Sequence, residues 1–156
     1  MIKLDIPHYK ILNIEKVIFD FNGTIGVDGK IKENVKELIT KLAKKCEIYI
    51  ATADTNGTTA DECKDLPVKI YIFKNQSALT EKRNLAHNLI GENTVCFGNG
   101  NNDVEMFNEC ILSICVIGDE GASSKAIINS DIVVKSIEDG INVLLNENRI
   151  IADLRG

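Results

Sequence analysis

What the chain lacks narrows its function before any motif is read. Its 156 residues hold no excess of positive charge: the net charge is -5 and the isoelectric point is near 5.1. No basic face is available to neutralise nucleic-acid phosphates or an anionic bilayer, so neither is an expected partner. No apolar run approaches the roughly 20 residues of a bilayer-spanning helix. The opening MIKLDIPHYK also lacks the basic-then-apolar pattern of a secretory leader, so a cytoplasmic protein is expected. Cysteines are present but unpaired in pattern. The five, at 46, 63, 96, 110 and 115, are an odd set without Cys-x-x-Cys spacing, which speaks against a disulfide framework or a zinc knuckle. Cys96 and Cys115 sit inside apolar runs and Cys46 begins one, the pattern of core thiols. Repeats, low-complexity tracts and linkers are missing too. A composition of 44% hydrophobic and 26% charged residues then fits one domain, 1–156, that buries its own core.

What is present is a regular exchange of two patterns. Runs rich in Val, Ile and Phe at 16–20 (KVIFD), 47–51 (EIYIA), 69–73 (KIYIF), 94–97 (TVCF), 111–116 (ILSICV) and 131–134 (DIVV) read as strands. Segments 31–45, 77–90, 102–109, 123–129 and 137–145 have helical spacing, with Val35, Leu38, Ile39 and Leu42 on one face of the first. Strands that are apolar throughout are buried on both faces. That predicts an α/β, three-layer Rossmann-like fold with a mainly parallel central sheet. The first fifteen residues read as a small hairpin on the sheet edge, and the tail NENRIIADLRG has no clear assignment.

In a doubly wound sheet the ligand crevice lies beyond the carboxyl ends of the strands. Polar clusters follow four of these ends: Asp20-Phe21-Asn22-Gly23-Thr24, Thr52-Ala53-Asp54-Thr55, a lysine at 74 or 82, and Gly98-Asn99-Gly100-Asn101-Asn102-Asp103. The last is a strand-to-glycine turn opening a helix, a natural cradle for an anion through free N–H groups.

These four clusters, in this order, resemble the motifs of the haloacid dehalogenase-like hydrolase superfamily, and within it the phosphorylation domain of P-type ATPases. DFNGT matches D-x-x-G-T, Thr52 the Ser or Thr of the second motif, Lys82 the third, and GNGNND matches G-D-G-x-N-D. The resemblance covers about residues 15–145. It implies that Asp20 is a nucleophile forming an aspartyl phosphate, and that Gly23, Thr24, Thr52, Ala53 and Lys82 hold the phosphate. It further implies Mg²⁺ near Asp20, the main-chain carbonyl of Asn22, Asn99 and Asp103, with Asp103 also orienting Lys82. Lys74 is the alternative lysine, and Thr52 has a second reading as a helix cap. Asp54 reads equally as a partner of the second motif or as a cap for 55–63. His8 and His87 lie outside the motifs.

Two positions depart from the family pattern. Asn22 stands where family phosphatases carry a second aspartate, the general acid and base, and Asn99 replaces the first aspartate of the fourth motif. An amide neither gives nor takes a proton near neutral pH, so turnover should be slow; a turn role for Asn22 is as good a reading as a catalytic one. P-type ATPases also lack an acid at the first position, yet their membrane helices and nucleotide domain have no counterpart here. Only about thirty residues separate Thr52 from Lys82, too few for a cap domain. A capless, open site suits a bulky substrate such as a phosphoprotein, or a second copy of the chain acting as lid, and leaves the recognition of a phosphorylated small molecule unspecified. The resemblance thus implies a magnesium-dependent phosphatase. Its rivals are a soluble P-type-ATPase-like domain with slow phosphoaspartate turnover, and a non-catalytic phosphate- or partner-binding module.

Overall fold

The computed structural model describes residues 1–73, 77–89 and 91–156. Strands β1 (Ile2–Asp5) and β2 (Ile11–Ile14) pair antiparallel as a hairpin of their own. Six further strands, β3 (Lys16–Asp20), β4 (Glu47–Thr52), β5 (Val68–Ile72), β6 (Thr94–Gly98), β7 (Leu112–Val116) and β8 (Ile132–Val134), form one parallel sheet in the order β5-β4-β3-β6-β7-β8. The helices are α1 (Glu33–Leu42), α2 (Thr59–Cys63), α3 (Ala78–Asn88), α4 (Val104–Glu109), α5 (Ser124–Asn129), α6 (Ile137–Leu145) and α7 (Glu147–Leu154).

Successive side chains of a strand point to opposite faces, and this alternation divides the core. Val17, Phe19, Ile48, Ile50, Val95, Phe97 and Ile114 pack with α1, α6 and α7 through Val35, Ile39, Ile141, Leu144 and Ile150. Their neighbours Ile18, Tyr49, Ala51, Cys96 and Cys115 pack with α3, α4 and α5 through Leu85, Ala86, Met106, Phe107 and Ala126. Helices therefore cover both faces, which is why the central strands are apolar throughout. Each Leu, Ile, Val, Phe or Met side chain buried in this way contributes about 1.5–3 kcal/mol before the entropy of ordering is subtracted. The expectation of burial on both faces fails at β5, an edge strand whose Tyr71 and Ile72 are exposed.

The hairpin also departs from its expected place. It does not extend the sheet edge but closes the amino ends of the strands. Glu15 N–H donates to Asn93 O (2.9 Å), Glu47 N–H donates to Glu15 O (2.8 Å), and the Lys10 ammonium donates to Ile111 O. On the central sheet these contacts fall at the first residue of a strand or at the residue before it. Ile2, Leu4, Leu12 and Ile14 are buried there, and the tail without an assignment is helix α7, packed against β1 through Ile150. A single buried face on each short strand outweighs edge pairing, because adding a strand at the edge would leave these residues in water. Between Thr52 and Ala78 the described residues hold only α2 and β5, so no cap domain is inserted. No helix of the described residues is long and apolar enough to cross a membrane.

Candidate active site

The strand order turns back at β3: β4 and β5 lie to one side, and β6 to β8 to the other. The crevice of such a sheet opens at this switch point. Parallel register sets its walls, since Asp20 pairs with Ala51 and Phe19 with Phe97. Asp20, Thr52 and Gly98-Asn99 thus end three adjacent strands side by side.

Asp20 enters a tight loop. Gly26 N–H donates back to Phe21 O (2.8 Å) and the Phe21 ring is fully buried, which anchors the turn in the core. Gly23 has φ +78°, and a Cβ there would lie 2.3 Å from Asn99 Nδ2, so only glycine fits. The N–H groups of Gly23 and Thr24 themselves close the loop and are not turned towards a ligand. Gly23 N–H donates to Gly26 O (2.9 Å) and Thr24 N–H to Phe21 O (3.2 Å). Thr24 instead enters through its hydroxyl, 3.3 Å from Asp20 Oδ2 and 3.4 Å from Asn99 Oδ1. The N–H of Phe21, missed in the sequence, points at the Asp20 carboxylate.

Lys82 comes from α3 with its ammonium buried between two carboxylates, 2.7 Å from Asp20 Oδ1 and 2.6 Å from Asp103 Oδ1. Burial works to lower its pKa, but the charges of Asp20 and Asp103 outweigh that and raise it, so it stays charged. Lys74, the alternative, lies outside the described residues. Asp103 is fully buried, and its second oxygen accepts from Asn99 N–H (3.0 Å) and Gly100 N–H (2.9 Å). This bend requires Gly98, where a Cβ would sit 2.4 Å from Asp103 Cγ. Both Asp103 oxygens are thus engaged within the protein, which suits orienting Lys82 more than contacting a metal directly.

Two carboxylates against one ammonium leave this buried group one negative charge in excess. Burial first, and the Asp103 charge second, push the Asp20 carboxyl up to about 7, against the pull of Lys82 and the Phe21 N–H. A divalent cation would relieve that excess. Among the described residues no three His, Cys, Asp or Glu side chains gather as a metal cluster. The donors that meet at the Thr24 hydroxyl are hard oxygens, Asp20 Oδ2 and Asn99 Oδ1. Asn99 Nδ2 donates to Gly121 O (3.0 Å), which turns its amide oxygen towards Thr24 and Asp20. Such a set fits a Mg²⁺ ion that keeps several waters.

Thr52 is almost fully buried at the end of β4, and its hydroxyl accepts from Asp54 N–H (2.9 Å), which leaves its proton for a ligand. Helix capping belongs to Asp54, whose Oδ1 accepts from Thr58 N–H, Thr59 N–H and the Thr59 hydroxyl (2.6 Å). Those donors hold the Asp54 carboxyl below the usual range, the Thr59 hydroxyl most of all. Ala53 is exposed beside Thr52. Asn22 has partners that the sequence reading missed: its Nδ2 donates to Thr55 Oγ1 (3.1 Å) and its Oδ1 accepts from Asn56 Nδ2 (2.9 Å). Thr55 stood in the second polar cluster, and the Asn-Gly turn signal at 56–57 was the trace of Asn56.

The model of the haloacid dehalogenase-like hydrolase family matches residues 83–145, which include the turn carrying Asn99 and Asp103. The match covers 63 of the 156 residues, and over that span the chain resembles this superfamily. Two uncharacterised proteins of Methanocaldococcus jannaschii are similar to this chain. One is 57% identical over 61 residues, 39% of this chain and 66% of that protein, so the match spans just under two thirds of its length. The other is 58% identical over 40 residues, 26% of this chain and 91% of that protein. Solved haloacid dehalogenase-like phosphatases share the fold at low identity. The cobalt-bound deoxy-D-mannose-octulosonate 8-phosphate phosphatase of Haemophilus influenzae superposes with TM-score 0.73 and 18% identity over 86% of this chain and 89% of that one. The 3-deoxy-D-manno-octulosonate 8-phosphate phosphatase of Moraxella catarrhalis, in complex with magnesium, phosphate and KDO, superposes with TM-score 0.64 and 16% identity, over 92% and 94%.

Proposed function

We propose that this haloacid dehalogenase-like protein is a Mg²⁺-dependent phosphohydrolase, carried on a single cytoplasmic domain, with Asp20 as nucleophile. The observation that carries the reading is the buried triad Asp20–Lys82–Asp103, set at the switch point of the sheet beside Thr52. One oxygen of Asp20 attacks phosphorus in line, the bond from phosphorus to the leaving oxygen breaks, and the leaving group departs with that electron pair. Water then attacks the phosphorus of the aspartyl phosphate, releasing inorganic phosphate and the free carboxylate. Lys82 neutralises phosphoryl charge, Asp103 holds Lys82 in place, and the Thr52 and Thr24 hydroxyls orient oxygens. When bound, Mg²⁺ supplies further charge neutralisation, held by Asp20, Asn22 O and Asn99.

Among the described residues the Asn22 side chain hydrogen-bonds two neutral side chains, and an amide carries no proton to give or take near neutral pH, so position 22 offers neither step a proton carrier. That supports slow turnover with acyl and aryl phosphates ahead of alkyl ones. It also gives weight to the second reading, a P-type-ATPase-like domain in which the phosphoaspartate accumulates. Asp20 is only 6% exposed, which favours a small phosphorylated molecule over a phosphoprotein and does not call for a second copy as lid. An aryl phosphate assay with and without Mg²⁺ tests the proposal. Magnesium-dependent release of phosphate, lost in Asp20→Asn, is expected; equal release in Asp20→Asn would remove Asp20 as nucleophile, and no release from wild type would favour the binding-module reading.

A further inference from the structure

The chain between Thr52 and α2 is built as a rigid turn. Gly57 N–H donates to Asp54 O (2.9 Å), Asp54 takes the left-handed region at φ +49°, and its carboxylate is fixed by three donors from Thr58 and Thr59. This leaves Thr55 and Asn56 at the apex, both exposed as residues yet both hydrogen-bonded to the Asn22 side chain. The same turn is hooked to the neighbouring 25–30 loop, where Thr58 Oγ1 donates to Gly29 O (2.6 Å). That loop is tied on its other side by Asp28 N–H to Glu120 Oε1 (2.9 Å) and Lys32 to Asp119 (3.0 Å). Asp20 beneath is 6% exposed although no cap is present.

We propose that Thr55 and Asn56 are specificity-determining residues: latched to Asn22, their turn forms a neutral wall on the leaving-group side of Asp20 that admits slender leaving groups and excludes broad ones. The inference rests on the phosphohydrolase reading, in which residue 22 stands beside the leaving oxygen. The wall is uncharged at its face, so it selects by width and by hydrogen bonding rather than by attraction of a charged group. It also gives Asn22 a positional task independent of proton transfer.

The test compares the full-length wild type, Asn56→Ala, Thr55→Val and Asn56→Gln on a slender substrate, acetyl phosphate, and a broad one, 1-naphthyl phosphate, each with Mg²⁺. Asn56→Ala should raise kcat/KM for 1-naphthyl phosphate relative to acetyl phosphate on the order of 10-fold, the scale of steric discrimination by a pocket. Most of the change should lie in KM. Thr55→Val, which keeps the volume and loses only the Asn22 contact, should move the ratio the same way by less, and serves if Asn56→Ala fails to fold. Asn56→Gln keeps the amide and should retain the exclusion. Equal changes on both substrates, or none, would overturn the proposal. Calorimetric binding of methylphosphonate and 1-naphthylphosphonate reads the wall without turnover. If the wild type turns over neither substrate but prefers the slender phosphonate, and Asn56→Ala narrows that preference, the catalytic reading falls and the wall stands. If neither phosphonate binds any variant, the wall falls.

Discussion

The two ends of the central sheet are made of opposite materials. At the amino end, β1, β2 and α7 close the strands with Ile2, Leu4, Leu12, Ile14 and Ile150, and polar contacts of Lys10 and Glu47 there go to main-chain oxygens. At the carboxyl end, five buried polar or charged residues, Asp20, Thr24, Thr52, Lys82 and Asp103, face one another. Burying apolar surface stabilises the fold, whereas burying three charges of which two are alike works against it unless a ligand completes the set. One end holds the sheet together so that the other can keep an unbalanced charge in place. Among the described residues no buried side-chain polar atom lacks a hydrogen-bond partner, so the tension at the site lies in its charge rather than in missing contacts.

If the two ends divide function and stability in this way, substitutions at each should move one property and spare the other. The largest effect belongs to Asp20→Asn, which should lower saturating turnover of an aryl phosphate by at least ~10³-fold, the scale of removing a covalent nucleophile, while the chain stays folded by circular dichroism. At the opposite end, Leu12→Ala should lower unfolding free energy by about 2–5 kcal/mol in urea titration and leave KM and the Mg²⁺ requirement unchanged; a changed KM would show that the ends are coupled. Asn22→Asp comes next, with saturating turnover raised about 10-fold as a carboxylate regains general acid-base work, more for alkyl than for aryl esters. Equal or lower turnover on both would mean that Asn22 matters as the latch on Thr55 and Asn56 alone.

The smallest effect is on thermal stability without metal, and its sign follows from Asp20. Its folded pKa of about 7 lies above the ordinary value of 3.8. The folded state therefore holds a proton that the unfolded chain releases as pH rises from about 4. Stability from this group is complete below that pH and lost by the time pH passes about 7. Asp20→Asn should accordingly melt higher than wild type at pH 8 in the presence of a chelator, and the difference should vanish towards pH 4. A gain of equal size at both values would show that it does not come from the charge.

Most of this architecture was legible in the sequence because it rests on short-range patterns. The central strands and the helices around them follow from apolar periodicity, with boundaries moved by one to three residues: Glu33–Leu42 for 31–45, and Val68–Ile72 for 69–73. The place of the hairpin was not legible, since period-two alternation states that a strand has one buried face without naming what covers it. The tail helix escaped for a related reason: Ile150 is buried in a core shared by distant elements, where α7 lies against both β1 and α6. At the site, motif order brought Asp20, Lys82 and Asp103 to one crevice, but the direction of each hydrogen bond was out of reach. Gly23 and Thr24 N–H groups turn inward, and Asn22 reaches sideways to Thr55 and Asn56, across 33 and 34 positions of sequence.

The most direct test of the account is where a phosphoryl group settles. The wild type is incubated with acetyl phosphate and Mg²⁺, quenched in acid and digested with trypsin, and the peptide spanning 17–30 is sequenced by mass spectrometry. If Asn22 leaves the second step without a base, as proposed, the phosphoryl mass should accumulate on that peptide and fragment to Asp20 rather than Asp28, and it should be absent without Mg²⁺ and from Asp20→Asn. Hydrolysis of acetyl phosphate with no label at Asp20, or with the label on another residue, would contradict it.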